Sequence, residues 1–330
     1  MKISGVNISG GIKINTTSGP APGPTPSGGY QGSNFGYAAG GIDPPAPINT
    51  IQKYSFTADA NATDVGDLTV ALEDTPAGSS SSTHGYASGG RTSPGATIAT
   101  IQKWTFTTDG NATDVGVLTA VRKQSSGQTS STHGYASGGQ NPALTPSNIS
   151  GIDKFPFASD SNASESQNLI TAINGSAGQS SNSHGYLSGG GAPARSEQIQ
   201  KFSFASSDDA TNVGDLSQNN HLGSGSNSDI SGYNSGGNTD VGGFQYVNRI
   251  EKFPFSTDNN SVSVGTLTQA RGFASGSSST TSGYTAGGIS SPPLTVHNII
   301  DKFPFATDTN ATDVGDLVQK ARGIHTGSQY

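Results

Sequence analysis

The chain has 330 residues, 12% of them charged, with a net charge of −7 and no cysteine. The missing thiols exclude disulfides, thiolate metal sites and cysteine nucleophiles. The acidic balance, with no basic stripe, argues against nucleic-acid binding, and no run approaches the roughly 18 apolar residues of a membrane span, so no membrane insertion is expected.

Residues 1–30 differ in kind from the rest. Ile3, Val6, Ile8, Ile12 and Ile14 set an apolar pattern that suits a small hairpin, and "SGPAPGPTPSGG" (18–29) is an extended Pro/Gly linker. A lone hairpin is marginal in water. These five residues are therefore expected to attach the protein to another chain by strand pairing. The segment has no continuous apolar core, so it does not read as a secretory signal peptide.

From residue 31 onward one unit recurs. Its tyrosine stands at Tyr37, Tyr86, Tyr135, Tyr186, Tyr233 and Tyr284, at steps of 49, 49, 51, 47 and 51 residues. "STHGYASGG" is written identically at 82–90 and 131–139, and the relative "NSHGYLSGG" follows at 182–190. Next comes an aromatic segment, such as "IQKWTF" from Ile101 and "IDKFPF" from Ile300, and then "NATDVGDL" or a relative. The third unit departs most there, with "NASESQNL" at 162–169.

Within a unit the period is two. Trp104 and Phe106 share one face, and Ile101, Lys103 and Thr105 the other. "TTDGN" then offers turn chemistry. No segment keeps a convincing helical period. Each unit yields four short strands: a small-residue strand, a Gly-Tyr strand ending in Gly-Gly, an aromatic strand, and one around Val-Gly-x-Leu. Such units repeated radially predict a six-bladed β-propeller over 31–330, with a linear β-solenoid ranked second. Inner strands crowd an axis, which calls for Gly, Ser and Thr. The double glycine is expected at positive φ, and the tyrosine ring is expected between blades. "ARGIHTGSQY" (321–330) parallels "ARGFASGSSS" (270–279), so 323–330 is expected to supply the innermost strand of the first blade and close the ring.

Gly40-Gly41, Gly89-Gly90, Gly138-Gly139, Gly189-Gly190, Gly236-Gly237 and Gly287-Gly288 resemble the double glycine that ends the second strand of the kelch repeat. The fourth-strand tryptophan of kelch is missing, so the repeat is kelch-like. The pattern "GYxxGG…IDKFPFxTDxNATDVGDL" is also similar to repeats of predicted structural or appendage proteins of marine and cyanobacterial tailed phages. That resemblance implies a virion protein made in the host cytoplasm and released by lysis.

Repeated polar residues read as structure first. His84, His133 and His184 precede Gly-Tyr in three units, where the others have Phe35, Ser231 and Ser282, so a polar turn position is favoured over a metal site. Lys53, Lys103, Lys154, Lys201, Lys252 and Lys302 are expected to pair with turn aspartates such as Asp59 or Asp64. The turns "DANATD", "DGNATD" and "DTNATD" lack the glutamate and central glycine of an EF-hand loop, and Asx turns explain them.

No catalytic motif is present. The expectation is a non-enzymatic protein with no cofactor and no metal. Variation concentrates in the loops after each Gly-Gly: 42–50, 91–100, 140–150, 191–198, 238–249 and 289–299, which an up-and-down blade places on one face. Candidate binding residues there are Phe244, Tyr246, Arg249, Arg91 and His297. The expected function is a fibre head or decoration protein. It would join other virion proteins through its N-terminal segment and bind a host-surface glycan or protein, or a neighbouring virion protein, through its loops. A bacterial kelch-like adaptor or carbohydrate-binding lectin is the alternative.

Overall fold

The computed structural model describes residues 32–323, apart from 75, 94, 192 and 193, together with 327–329. The attachment residues Ile3, Val6, Ile8, Ile12 and Ile14 lie outside them. The described chain is all β and forms six four-stranded antiparallel sheets. Blade two shows the plan: Ala77–Ser80, His84–Ser88, Thr100–Thr105 and Thr113–Val117, from the axis outward. Blades three to six repeat it from Ser126–Thr129, Ala177–Ser180, Ser224–Asn227 and Ser275–Ser278. Each innermost strand touches those of both neighbouring blades, and the sixth reaches the first. The ring is a closed six-bladed β-propeller, consistent with a kelch-like repeat.

Blade one is assembled from both ends of the chain. Ser328–Gln329 pairs with Phe35–Ala39 through Gly36↔Gln329 and Tyr37↔Ser328. The C-terminal strand thus closes the ring as expected. Gly32, from the other end, instead forms a parallel bridge to Ser279 of blade six.

The repeated nonamer has a geometric cause. The glycine before each tyrosine lies directly across from the aromatic residue of the third strand, as in Gly85↔Trp104 and Gly134↔Phe155. A Cβ on any of these six glycines would sit 2.3–2.6 Å from the ring. The aromatic ring covers its glycine partner and occupies the space of the missing side chain. The double glycines all have positive φ, as at Gly89 (75°) and Gly90 (104°).

The described residues form no single core. Six apolar clusters lie between blades, each drawing on two of them, such as Tyr37, Ile51 and Leu68 with Trp104, Phe106 and Ala112. In each, the tyrosine stacks on the second aromatic of the following blade. The pairs run from Tyr37–Phe106 to Tyr284–Phe56, with centroids 4.6–5.0 Å apart and planes 23–28° inclined.

Polar clasps follow the same circle. Five repeat lysines pair with an aspartate of the next blade: Lys53–Asp109, Lys103–Asp160, Lys201–Asp258, Lys252–Asp308 and Lys302–Asp59, at 2.5–3.0 Å. Asp59 is thus a partner, but of blade six's lysine. Asp64 accepts from the Gly66 N–H instead. Lys154 is the exception because Ser207 stands where the other turns have aspartate. The asparagine of each "NATD" turn, or Asp209 in blade four, accepts a backbone N–H from the preceding blade at 2.8–3.2 Å. These turns are therefore blade-to-blade fasteners, beyond the local Asx turns expected.

A buried acceptor on the third strand makes a further link. Gln52, Gln102, Asp153, Gln200, Glu251 and Asp301 each take a backbone N–H of the preceding blade at 2.7–2.9 Å. In blades three and six the acceptor is an aspartate, and a fully buried arginine neutralises it: Arg122–Asp153 and Arg271–Asp301, both 2.9 Å. Blade two has Leu72 and Gln102 in the equivalent positions. Arg122→Leu alone strands a buried carboxylate and is expected to destabilise by about 3–5 kcal/mol. Arg122→Leu with Asp153→Gln writes blade two's solution into blade three and should recover most of that loss. Urea midpoints of the two variants decide; equal midpoints would reject the pairing argument.

Removing residues 327–330 takes away the innermost strand of blade one and leaves Phe35–Ala39 an open edge. The expected outcome is a fall in melting temperature of many degrees, with aggregation on heating. Unchanged calorimetry would show that ring closure does not depend on this strand.

Candidate functional site

The two faces of the disc differ. One carries the turns joining first to second and third to fourth strands, and it is regular. There His84, His133 and His184 each bond through Nδ1 to the preceding hydroxyl, Thr83, Thr132 or Ser183, at 2.8 Å. Burial and the neighbouring repeat lysine lower their pKa values. No three His, Cys, Asp or Glu residues gather into a metal-binding group among the described residues.

The other face carries the variable loops. A collar anchors them: the segment entering each blade pairs with that blade's own loop, through Ile42↔Arg322, Glu73↔Arg91, Lys123↔Gln140, Asn174↔Gly191, His221↔Asn238 and Gly272↔Ile289. The next residue of each entry segment, namely Asp74, Gln124, Gly175, Leu222, Phe273 or Gly323, has φ between 54° and 66°. Backbone N–H groups link these residues in succession, from Gln124 to the Asp74 carbonyl through to Gly323 and the Phe273 carbonyl.

Over blades three to five this face opens a cavity of about 830 Å³. Blade three contributes Gln140, Pro146, Ser147 and Asn148; blade four, Thr171, Asn174, Gly191 and Arg195; blade five, His221 and Asp240. A hydrogen-bond chain orders its floor. His221 Nε2 lies 2.9 Å from Asn174 Oδ1, which accepts from it, and Asn174 Nδ2 donates to Asn148 Oδ1 at 2.8 Å and to the Gly191 carbonyl at 3.1 Å. Arg195 forms one wall. Its Nε donates to Asn238 at 2.7 Å and it pairs with Asp240 at 3.3 Å. Its guanidinium lies 5.2 Å from the ring centre of Phe244, which stands edge-on to Tyr246 at 5.5 Å.

Of the predicted binding residues, Phe244 and Tyr246 lie together at this rim, and Phe244 is 60% exposed. The other three are engaged within the fold. Arg91 pairs with Glu73 and Asp74 at 2.6 and 3.2 Å, and Arg249 with buried Glu251 at 3.2 Å. His297 Nε2 bonds Ser290 at 2.8 Å. Asn174 and His221 were not anticipated, because they stand in entry segments rather than in the loops after Gly-Gly. The available signal was variation: the same position reads Glu73, Lys123, Asn174, His221, Gly272 and Arg322 around the ring. No family model matches the chain, and a search of curated proteins finds no match to it.

Burial, and then the charge of Arg195, pushes the His221 pKa down to about 4. An unfolded imidazole titrates near ~6.5. Between those values the unfolded chain binds a proton that the folded site refuses. The stability that neutral His221 contributes is complete above pH 6.5 and is lost as pH falls toward 4, by up to about 3 kcal/mol. Urea midpoints of wild type and His221→Gln at pH 7.5 and 4.5 measure this. The wild type is expected to lose more stability over the interval; parallel losses would place the pH sensitivity elsewhere.

Proposed function

We propose that the protein is a non-enzymatic recognition head, carried on a virion by its N-terminal segment, whose loop face binds a host surface or a neighbouring virion protein. The observation that carries this reading is the contrast between faces. The turn face repeats the same fasteners blade after blade, while the loop face varies and holds the 830 Å³ cavity. Loops on a rigid scaffold are the usual place for recognition. The described ends of the chain favour the same division. Gln329 ends the innermost strand of blade one at the turn face, and the Gly32 N–H bonds the Ser278 carbonyl beside the first turn of blade six. A tether entering there leaves the loops facing away from the carrier. The virion placement itself rests on the sequence resemblance to phage appendage proteins.

The test uses labelled full-length protein, a panel of marine and cyanobacterial cells, and mass spectrometry of purified virions. Binding to some cells is expected. Phe244→Ala combined with Arg195→Ala on the loop face should reduce it at least about tenfold, while Lys103→Ala on the turn face should not. Removal of residues 1–28 should leave cell binding intact and abolish incorporation into particles. Binding lost equally from both faces, or particles that retain the truncated protein, would overturn the assignment.

A further inference from the structure

The cavity over blades three to five narrows the chemistry of what it can hold. We propose that it binds a neutral, hydroxyl-rich oligosaccharide chain; this rests on the recognition reading above and names its ligand.

The charges inside the cavity cancel. Arg195 and Asp240 pair on one wall of it, and His221 is kept neutral beneath it by burial. The remaining polar lining consists of amides and hydroxyls: Gln140, Asn148, Asn174, Ser147 and Thr171. Planar amides and a carboxylate offer donors and acceptors in fixed pairs, which adjacent sugar hydroxyls can satisfy. Their order is set before any ligand arrives, since the chain His221–Asn174–Asn148 joins three blades. Preorganisation of that kind lowers the cost of binding a polar ligand.

The rim supplies the apolar half. Phe244 is exposed yet held, with the Arg195 guanidinium 5.2 Å from its ring centre and Tyr246 edge-on to it. A pyranose ring has one face of C–H groups that suits such an aromatic surface. The volume falls in the roughly 300–1,000 Å³ range of small-ligand sites.

Arg195 also lines a second concavity, of about 360 Å³, with Ser196, Glu197, Gln198, Asp215 and Asn219. The two hollows therefore adjoin at one side chain, which favours a chain of sugars over a single one. Glu197 and Asp215 put two carboxylates in that second hollow, and the protein as a whole carries a charge of −7. An acidic polysaccharide would be repelled there, whereas a neutral one would not.

The test applies full-length protein to an immobilised panel of neutral hexose and N-acetylhexosamine oligosaccharides, with uronate- and sialate-bearing ones beside them. Wild type is expected to bind neutral members and leave the acidic ones. Phe244→Ala, on an exposed loop, is expected to weaken that binding about tenfold with no change in thermal unfolding. Asp240→Asn leaves Arg195 unbalanced and is expected to admit uronate-bearing chains. A preference of the wild type for acidic chains overturns the proposal, as does neutral binding unaffected by both substitutions. Cell binding that vanishes when the cells are treated with protease, with no neutral oligosaccharide bound, replaces the sugar with a protein receptor and leaves the recognition reading standing. Binding to neither cells nor oligosaccharides removes both.

Discussion

The tightest backbone approach among the described residues is at the axis, and the rest of the structure follows from it. Gly78, Gly127, Gly178, Gly225, Gly276 and Gly327 line the axial channel, one from each innermost strand. A Cβ on Gly127 would lie 1.9 Å from the Gly78 carbonyl oxygen, and a Cβ on each of the next four glycines around the ring would lie 1.7–2.3 Å from the carbonyl oxygen of its predecessor. No other residue fits. Around the same axis the backbone N–H groups of Ser80, Thr129, Ser180, Asn227, Ser278 and Gln329 each donate to the side-chain oxygen of the next in turn, and Gln329 returns to Ser80. Strands this small cannot bury much apolar surface. The hydrophobic stabilisation has to come from farther out, where blades diverge and Tyr, Trp and Phe fill the wedge between them. An aromatic side chain buried there contributes on the order of 1.5–3 kcal/mol. Because each cluster belongs to two blades, no blade is stable by itself, and the ring must close for any of them to be complete.

The polar fasteners answer a related difficulty. Where one blade ends and the next begins, backbone N–H groups would be buried without a partner. The third-strand acceptor meets that need in all six blades, by one of two routes. Gln52, Gln102 and Gln200 do it without charge, and each leaves an Nε2 buried with no hydrogen-bond partner among the described residues. Asp153, Glu251 and Asp301 do it with charge, and each is paired with an arginine: Arg122 and Arg271 fully buried beside the aspartates, and the partly exposed Arg249 beside Glu251. The surface Lys–Asp pairs are a weaker device. Their aspartates are 35–60% exposed, so each contributes at most about 1 kcal/mol. Blade three can therefore do without one at Lys154.

Spacing and period made the blades legible. A tyrosine every 47–51 residues, four strand patterns per unit and an unmatched strand at the C-terminus sufficed for the number of blades and the mode of closure. What stayed hidden is whatever depends on how neighbouring blades meet. Lys53 and Asp109 are 56 positions apart, and nothing local distinguishes that partner from the lysine's own turn. The collar was hidden for a different reason. Six residues share positive φ there, but only Gly175 and Gly323 are glycines. Asp74, Gln124, Leu222 and Phe273 accept the strained conformation because five backbone hydrogen bonds around the ring hold it. The site was half visible: the loops with Arg195, Asp240 and Phe244 stood out by their variation, while Asn174 and His221 became part of it only when the collar set entry segments beside loops.

That collar explains why a variable surface can coexist with a repetitive frame. A loop held only at its two ends would order its polar groups afresh for each ligand. Here every loop is also bridged to the segment entering its own blade, and that segment is bonded to its counterparts in the adjoining blades. Side chains that differ from blade to blade are thus presented from a backbone that hardly differs. Asn148, Asn174 and His221 come from three different blades and still meet at hydrogen-bond distance. Apart from Ile48, Ile98 and Ala99, which pack against the wedges at the loop ends, the axis, the aromatic wedges and the fasteners draw on strands and turns, so substitutions elsewhere in the loops can change what the face recognises without disturbing them. Most of the recognition surface and most of the stabilising contacts therefore occupy different residues of the same repeat, with His221 serving both, which lets the loops vary while the frame stays nearly constant.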